Sequence, residues 1–116
     1  MYGEGNNIRD WLFVEDHCDA LIRVLEKGVV GEKYNIGGNC EISNIELVRT
    51  ILEVLEKPQT LIQYVEDRKG HDFRYAIDTT KIEDELGWYS RTYFDVGIEK
   101  TIDWYIRHQY LFRGEN

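Results

Sequence analysis

Four basic side chains crowd into one short stretch of this sequence: Arg68, Lys69, His71 and Arg74, in and just after Asp67-Arg68-Lys69-Gly70-His71-Asp72. The chain of 116 residues carries a formal net charge of −8, so a local positive cluster is unexpected. Arginine presents a planar fork of donors that meets two phosphate oxygens at once, and a screened net field does not cancel contacts that close. A diphosphate is the ligand that suits the stretch. The competing reading is a solvated turn whose charges are balanced by Glu66, Asp67 and Asp72, and residue counting leaves the two even. Arg9 is a second candidate. It lies among the apolar neighbours Ile8 and Trp11, where a charge must be paired or must face a ligand. Residue type favours a salt bridge to Asp10 or Glu15. Asn35 is a third, inside Tyr34-Asn35-Ile36-Gly37-Gly38, where strand propensity disfavours Asn. It either satisfies its own backbone or donates to a ligand, and propensity does not rank the two.

Residues that could carry out catalysis are harder to find. A dinucleotide fold needs Gly-x-Gly-x-x-Gly between a strand and a helix. Gly3-Glu4-Gly5 has Ile8 in the third glycine position, and Gly37-Gly38 has no third partner. None of the eight tyrosines has a lysine four residues later, so the Tyr-x-x-x-Lys base of short-chain oxidoreductases is absent. Asp84-Glu85 point about 100° apart on a helix and read as a solvated face. His17, beside Glu15 and Asp16, has no second ligand motif, and His108 shows no partner. Cys18 and Cys40 form no C-x-x-C pair or zinc spacing and read as reduced cysteines of a cytoplasmic protein.

The acidic balance argues against nucleic acid and anionic membrane surfaces as partners. No apolar run approaches the ~20 residues that span a bilayer, and the first residues lack the basic and apolar regions of a signal peptide. At 42% hydrophobic and 13% aromatic residues the chain folds, and its length suits one domain, residues 1–116.

The elements that must position these residues follow from periodicity. Strands are expected at 8–14, 33–37, 60–65 and 74–77. A helix runs from Glu15-Asp16 to Gly28, with Ala20, Leu21, Val24 and Leu25 on one face. Ser43 and Glu46 form a capping box for a helix over about 44–57, closed by Pro58. A short helix capped by Asp78 or Thr79 ends at Leu86-Gly87. The last helix starts near Asp95 and carries Ile98, Ile102, Tyr105 and Ile106. The alternation gives an α/β class: a small mixed sheet with flanking helices.

Several strings, taken in order, resemble the C-terminal third of dTDP-glucose 4,6-dehydratases of the extended short-chain superfamily. They are Arg9-Asp10-Trp11-Leu12-Phe13-Val14-Glu15-Asp16-His17, Tyr34 to Gly38, Asp67 to Asp78, Glu85-Leu86-Gly87-Trp88 and Lys100 to Tyr105. The segment from Asp67 to Asp78 discriminates, because epimerases and sugar-acid decarboxylases of the superfamily carry other residues there. The resemblance implies that Arg9, Asn35, Arg68 and His71 contact the nucleotide-diphosphate region of a dTDP-hexose. It implies NAD in the full-length parent, with the Rossmann core and every catalytic group upstream. The parent would oxidise C4, eliminate water across C5–C6 and return the hydride to C6. This chain is expected to be the substrate-binding portion of that longer protein, inactive alone and without bound cofactor. The alternatives are part of another nucleotide-sugar epimerase or decarboxylase, or a free-standing binding module. Lys69 and Ser90 stand where the family usually has Pro. Tyr93 replaces a usual Thr cap, which weakens or shifts that cap. Leu21, Val24, Leu25, Ile82 and Leu86 are expected to lose partners from the upstream sequence, which favours a homo-oligomer.

Overall fold

Ser43 and Glu46 act on each other as their spacing requires. In the computed structural model, which describes residues 1–114, the Ser43 hydroxyl accepts from the Glu46 amide. The Glu46 carboxylate accepts from the Ser43 amide at 3.1 Å. The box opens α2, Asn44–Val54, which buries Ile45 and Leu52. Three other helices also fall where periodicity places them: α1 at Val14–Lys27, α3 at Thr80–Leu86 and α4 at Phe94–Arg107. The amide of Thr80 donates to Asp78, and α3 stops on Gly87, whose φ of 63° needs glycine. Tyr93 precedes α4 and makes no side-chain cap hydrogen bond, as the missing Thr implied.

Extended structure departs further from expectation. β1 covers only Ile8–Asp10 and pairs antiparallel with β2, Glu41–Ser43, a strand with no sequence signal. Residues 33–37 form no strand, and residues 59–61 make a 3₁₀ turn instead of opening one. The expected strands at 60–65 and 74–77 shrink to two isolated parallel bridges, Tyr2 with Val65 and Ile8 with Arg74. A strand exists only where another segment completes its ladder, and β propensity alone supplies no partner. The expected mixed sheet is thus reduced, among the described residues, to a two-stranded antiparallel pair with two isolated parallel bridges beside it, and with the four helices the class is α/β.

The main core lies between α1 and α3. Ala20, Ile82, Leu86 and Trp88 are buried together, with Leu12, Val24, Tyr34 and Ile36 packed around them. Ile82 and Leu86 therefore do not lose partners, contrary to expectation: α3 turns them onto α1 and Trp88 of the chain itself. Leu21 and Leu25 do remain exposed on the outer face of α1, Leu25 at 86%. Elsewhere α2 packs directly against α4. Asp16 links the halves, accepting at one carboxylate oxygen from the Ser90 hydroxyl and the amides of Arg91 and Thr92.

Candidate functional site

The loop of residues 66–72 is stapled to the N-terminal segment at both ends. On one side the Gly3 amide donates to Val65 and the Val65 amide to Met1. On the other, the Ile8 amide donates to Phe73 and the Tyr75 amide to Ile8. Inside this frame the buried Asn7 donates its amide to the Asp72 carbonyl at 3.1 Å. Parallel pairing along residues 1–10 thus decides where the loop sits, and Arg9 projects into it.

Arg9, Arg68 and His71 meet here, some sixty residues apart in sequence. With Lys69, Asp72 and Tyr75 they line an open cleft of about 250 Å³. Arg9 donates to the Ile8 carbonyl at 2.7 Å, to the Asp72 carbonyl at 3.0 Å and to His71 Nε2 at 3.1 Å. Its guanidinium lies 4.5 Å from the centre of the Tyr75 ring, over the negative face of the π system. Among the described residues it has no carboxylate partner. The expected salt bridge to Asp10 or Glu15 is not formed. Asp10 instead turns its carboxylate onto the amides of Gly38 and Cys40. That explains the glycine pair: a Cβ on Gly37 would strike Asp10, and one on Gly38 would strike the Trp11 carbonyl.

The four-residue basic cluster divides. Arg74 pairs with Glu41 through two hydrogen bonds, one of 2.9 Å, and this raises its already high pKa. Arg68 stays exposed, 5.0 Å over the Tyr2 ring, with no side-chain hydrogen bond among the described residues. The loop's acids do not neutralise the arginines by direct salt bridges. Asp67 accepts from His71 Nδ1 at 2.6 Å and from the Arg68 amide, and the His71 hydrogen bond leads in holding its carboxyl below the usual range. Asp72 accepts from the Tyr75 hydroxyl, which pushes that phenol up. Among the described residues, then, no salt bridge joins Arg9 or Arg68 to an acid of the loop.

Asn35 does not join this group. It is exposed and lines a neighbouring cleft with His17, Tyr34, Ile36 and residues 76–78. Its backbone segment presses on Ile77 through Gly37, so the two clefts flank one strip of chain. Sequence reading gave Asn7, Asp67 and Tyr75 no part in this group. Asp67 and Tyr75 lie inside the Asp67–Asp78 string, whereas the burial of Asn7 is decided by the fold. Among the described residues no grouping of His, Cys, Asp and Glu could hold a metal ion, and no helix is long and apolar enough to cross a membrane.

Residues 1–101 match the family described as GDP-mannose 4,6 dehydratase. The dTDP-glucose 4,6-dehydratase of Xanthomonas campestris pv. campestris is 50% identical over 123 residues, covering 98% of this chain and 35% of that protein. Two solved structures are closely similar. The dTDP-glucose 4,6-dehydratase of Bacillus anthracis in complex with NAD gives a TM-score of 0.87 at 47% identity, covering 95% of this chain and 35% of that one. The Streptomyces venezuelae enzyme with NAD and dTDP bound gives 0.89 at 41% identity, covering 95% of this chain and 34% of that one. The chain spans about a third of the length of the curated relatives it matches.

Proposed function

The chain belongs to the GDP-mannose 4,6 dehydratase family, and on that premise we propose that it is the nucleotide-sugar-gripping portion of a dTDP-glucose 4,6-dehydratase. The complete enzyme is then a lyase that converts dTDP-glucose to dTDP-4-keto-6-deoxyglucose. One observation carries the reading. Arg9 is a half-buried guanidinium held by carbonyls, an imidazole and a ring face, with no carboxylate beside it among the described residues. A cation so placed, with Arg68 open next to it, is matched to an anionic ligand. Half-identical relatives of that name support dTDP-glucose as the ligand's source.

NAD does not fit the residues present. The Gly3–Gly5 turn leads into β1, not a helix, and its third glycine position is Ile8. Gly37 and Gly38 are pressed onto Asp10 and Trp11 and offer no open backbone cradle. The cofactor and the proton-transfer groups therefore belong to other sequence of the full-length enzyme. This chain binds and orients the diphosphate, Arg68 from the open side and Arg9 from within, and Asn35 reaches the same ligand from the adjoining cleft. Alone it turns over no substrate. Its setting is the cytoplasm, and the apolar outer face of α1 pairs it with a second copy.

Isothermal titration of the chain with dTDP tests the reading. One dTDP binds per chain, and Arg68→Ala weakens it about tenfold or more, the worth of one charge-assisted phosphate contact. Affinity within twofold of the wild type would return the loop to a solvated turn.

A further inference from the structure

Both ring nitrogens of His71 are engaged within the protein, and its side chain is only 5% exposed. Nδ1 faces Asp67 at 2.6 Å and Nε2 faces the Arg9 guanidinium at 3.1 Å. Guanidinium nitrogens can only donate. Nε2 must therefore accept, which puts the ring proton on Nδ1, where it is donated to the Asp67 carboxylate. A ring protonated on both nitrogens would turn a second donor and a second positive charge onto Arg9. The Tyr2 ring also faces the imidazole, nearly perpendicular to it with the ring centres 6.1 Å apart.

We infer that Asp67 and His71 are positioning residues for Arg9: Asp67 holds the imidazole in its Nδ1–H tautomer, and the free Nε2 lone pair fixes the guanidinium in the cleft. This rests on the reading of the cleft as a diphosphate site and changes one role within it. His71 does not donate to phosphate; it orients the side chain that does. Of the five N–H groups of an arginine, three on Arg9 are committed to Ile8, Asp72 and His71. The remaining two, one on the first terminal nitrogen and the Nε–H, are left for the ligand. Tyr75 supports the same fork from below, and its hydroxyl is itself held by Asp72.

Long-range proton–nitrogen NMR of the chain reads the tautomer directly. His71 is assigned by the signals that vanish in His71→Gln, which separates it from His108, whose Nδ1 also meets a carbonyl. The expected state is Nδ1–H. Asp67→Ala removes the acceptor, moves the ring towards Nε2–H and weakens dTDP about fivefold, the worth of one ordinary hydrogen bond. Asp67→Asn keeps an oxygen acceptor and stays within twofold. An Nε2–H tautomer in the wild type, or an Asp67→Ala chain that binds dTDP like the wild type, would overturn the inference. Should Asp67→Ala fail to fold, the wild-type tautomer alone decides. A chain that shows Nδ1–H yet binds no dTDP would sink the diphosphate reading and leave the Asp67–His71–Arg9 arrangement standing.

Discussion

Between α1 and α3, Ala20, Ile82, Leu86 and Trp88 meet with no charged side chain among them. In the clamp, Arg9, Asn7, Asp67, His71, Asp72 and Tyr75 meet almost wholly through hydrogen bonds and one ring face. The first region is held by apolar burial, worth about 1.5–3 kcal/mol for each large side chain. Burial is non-directional, so it tolerates swaps of similar volume and fails in proportion to the cavity left behind. The second region gains little net stability, because each hydrogen bond replaces one to water and nets about 1 kcal/mol. Its worth lies in direction: donors are aimed, and changing a single atom re-aims them. On the proposed reading, stability and recognition therefore sit in separate parts of a small chain and answer to different substitutions.

The sharpest way to break that division is Trp88→Ala. Trp88 is 2% exposed, and the variant should cost about 3–5 kcal/mol in chemical denaturation. Such a loss is a large share of the ~5–15 kcal/mol typical of a domain. The reciprocal change, Arg68→Ala, should leave the melt within about 0.5 kcal/mol while weakening dTDP as described above. A clamp variant that melts like Trp88→Ala would show that the two regions are one.

Asp16 probes the seam between the halves. Burial raises its pKa, but the hydrogen bonds from Thr92, Ser90 and Arg91 together outweigh that and hold it below the usual 3.8. A carboxyl whose pKa is depressed by folding stabilises the fold above the unfolded value. That contribution is lost as pH falls through the folded pKa. Asp16→Asn should therefore cost about 1 kcal/mol at pH 7 and progressively less below about pH 4, so that wild-type and variant stabilities converge in acid. A gap that stays constant with pH would mean that the carboxylate charge plays no part.

The smallest effect on folding is expected at Leu25, 86% exposed on α1. Leu25→Lys should change intrinsic stability by no more than about 0.5 kcal/mol. If α1 pairs with a second copy, the wild-type melting temperature rises with protein concentration, and this variant removes the dependence. Light scattering that shows a wild-type monomer at every concentration would rule the pairing out.

Helices were legible because their causes are local. The Ser43–Glu46 box, the apolar spacing of Ile45 and Leu52, and Gly87 after α3 act within a turn or two of chain. The family was legible in the same way, through strings such as Asp67 to Asp78 that match whatever the fold does with them. Strands were not. Residues 33–37 have strand composition and no ladder, whereas Glu41–Ser43 has neither signal nor length and pairs with β1.

The clamp lay between these cases. Sequence alone determined that an acidic chain concentrates Arg68, Lys69, His71 and Arg74 in one stretch, and that Arg9 needs either a counter-charge or a ligand. Only the tertiary structure decided that Arg74 is spent on Glu41, that Asp10 turns to the Gly38 and Cys40 amides and leaves Arg9 without a carboxylate partner among the described residues, and that Asn35 stands in the next cleft. The reason is reach. A cap acts over three residues, but the partner of a charge is whichever group the folded chain brings within about 4 Å, and for Arg9 those groups include His71 and the Asp72 carbonyl, which lie 62 and 63 residues away in sequence.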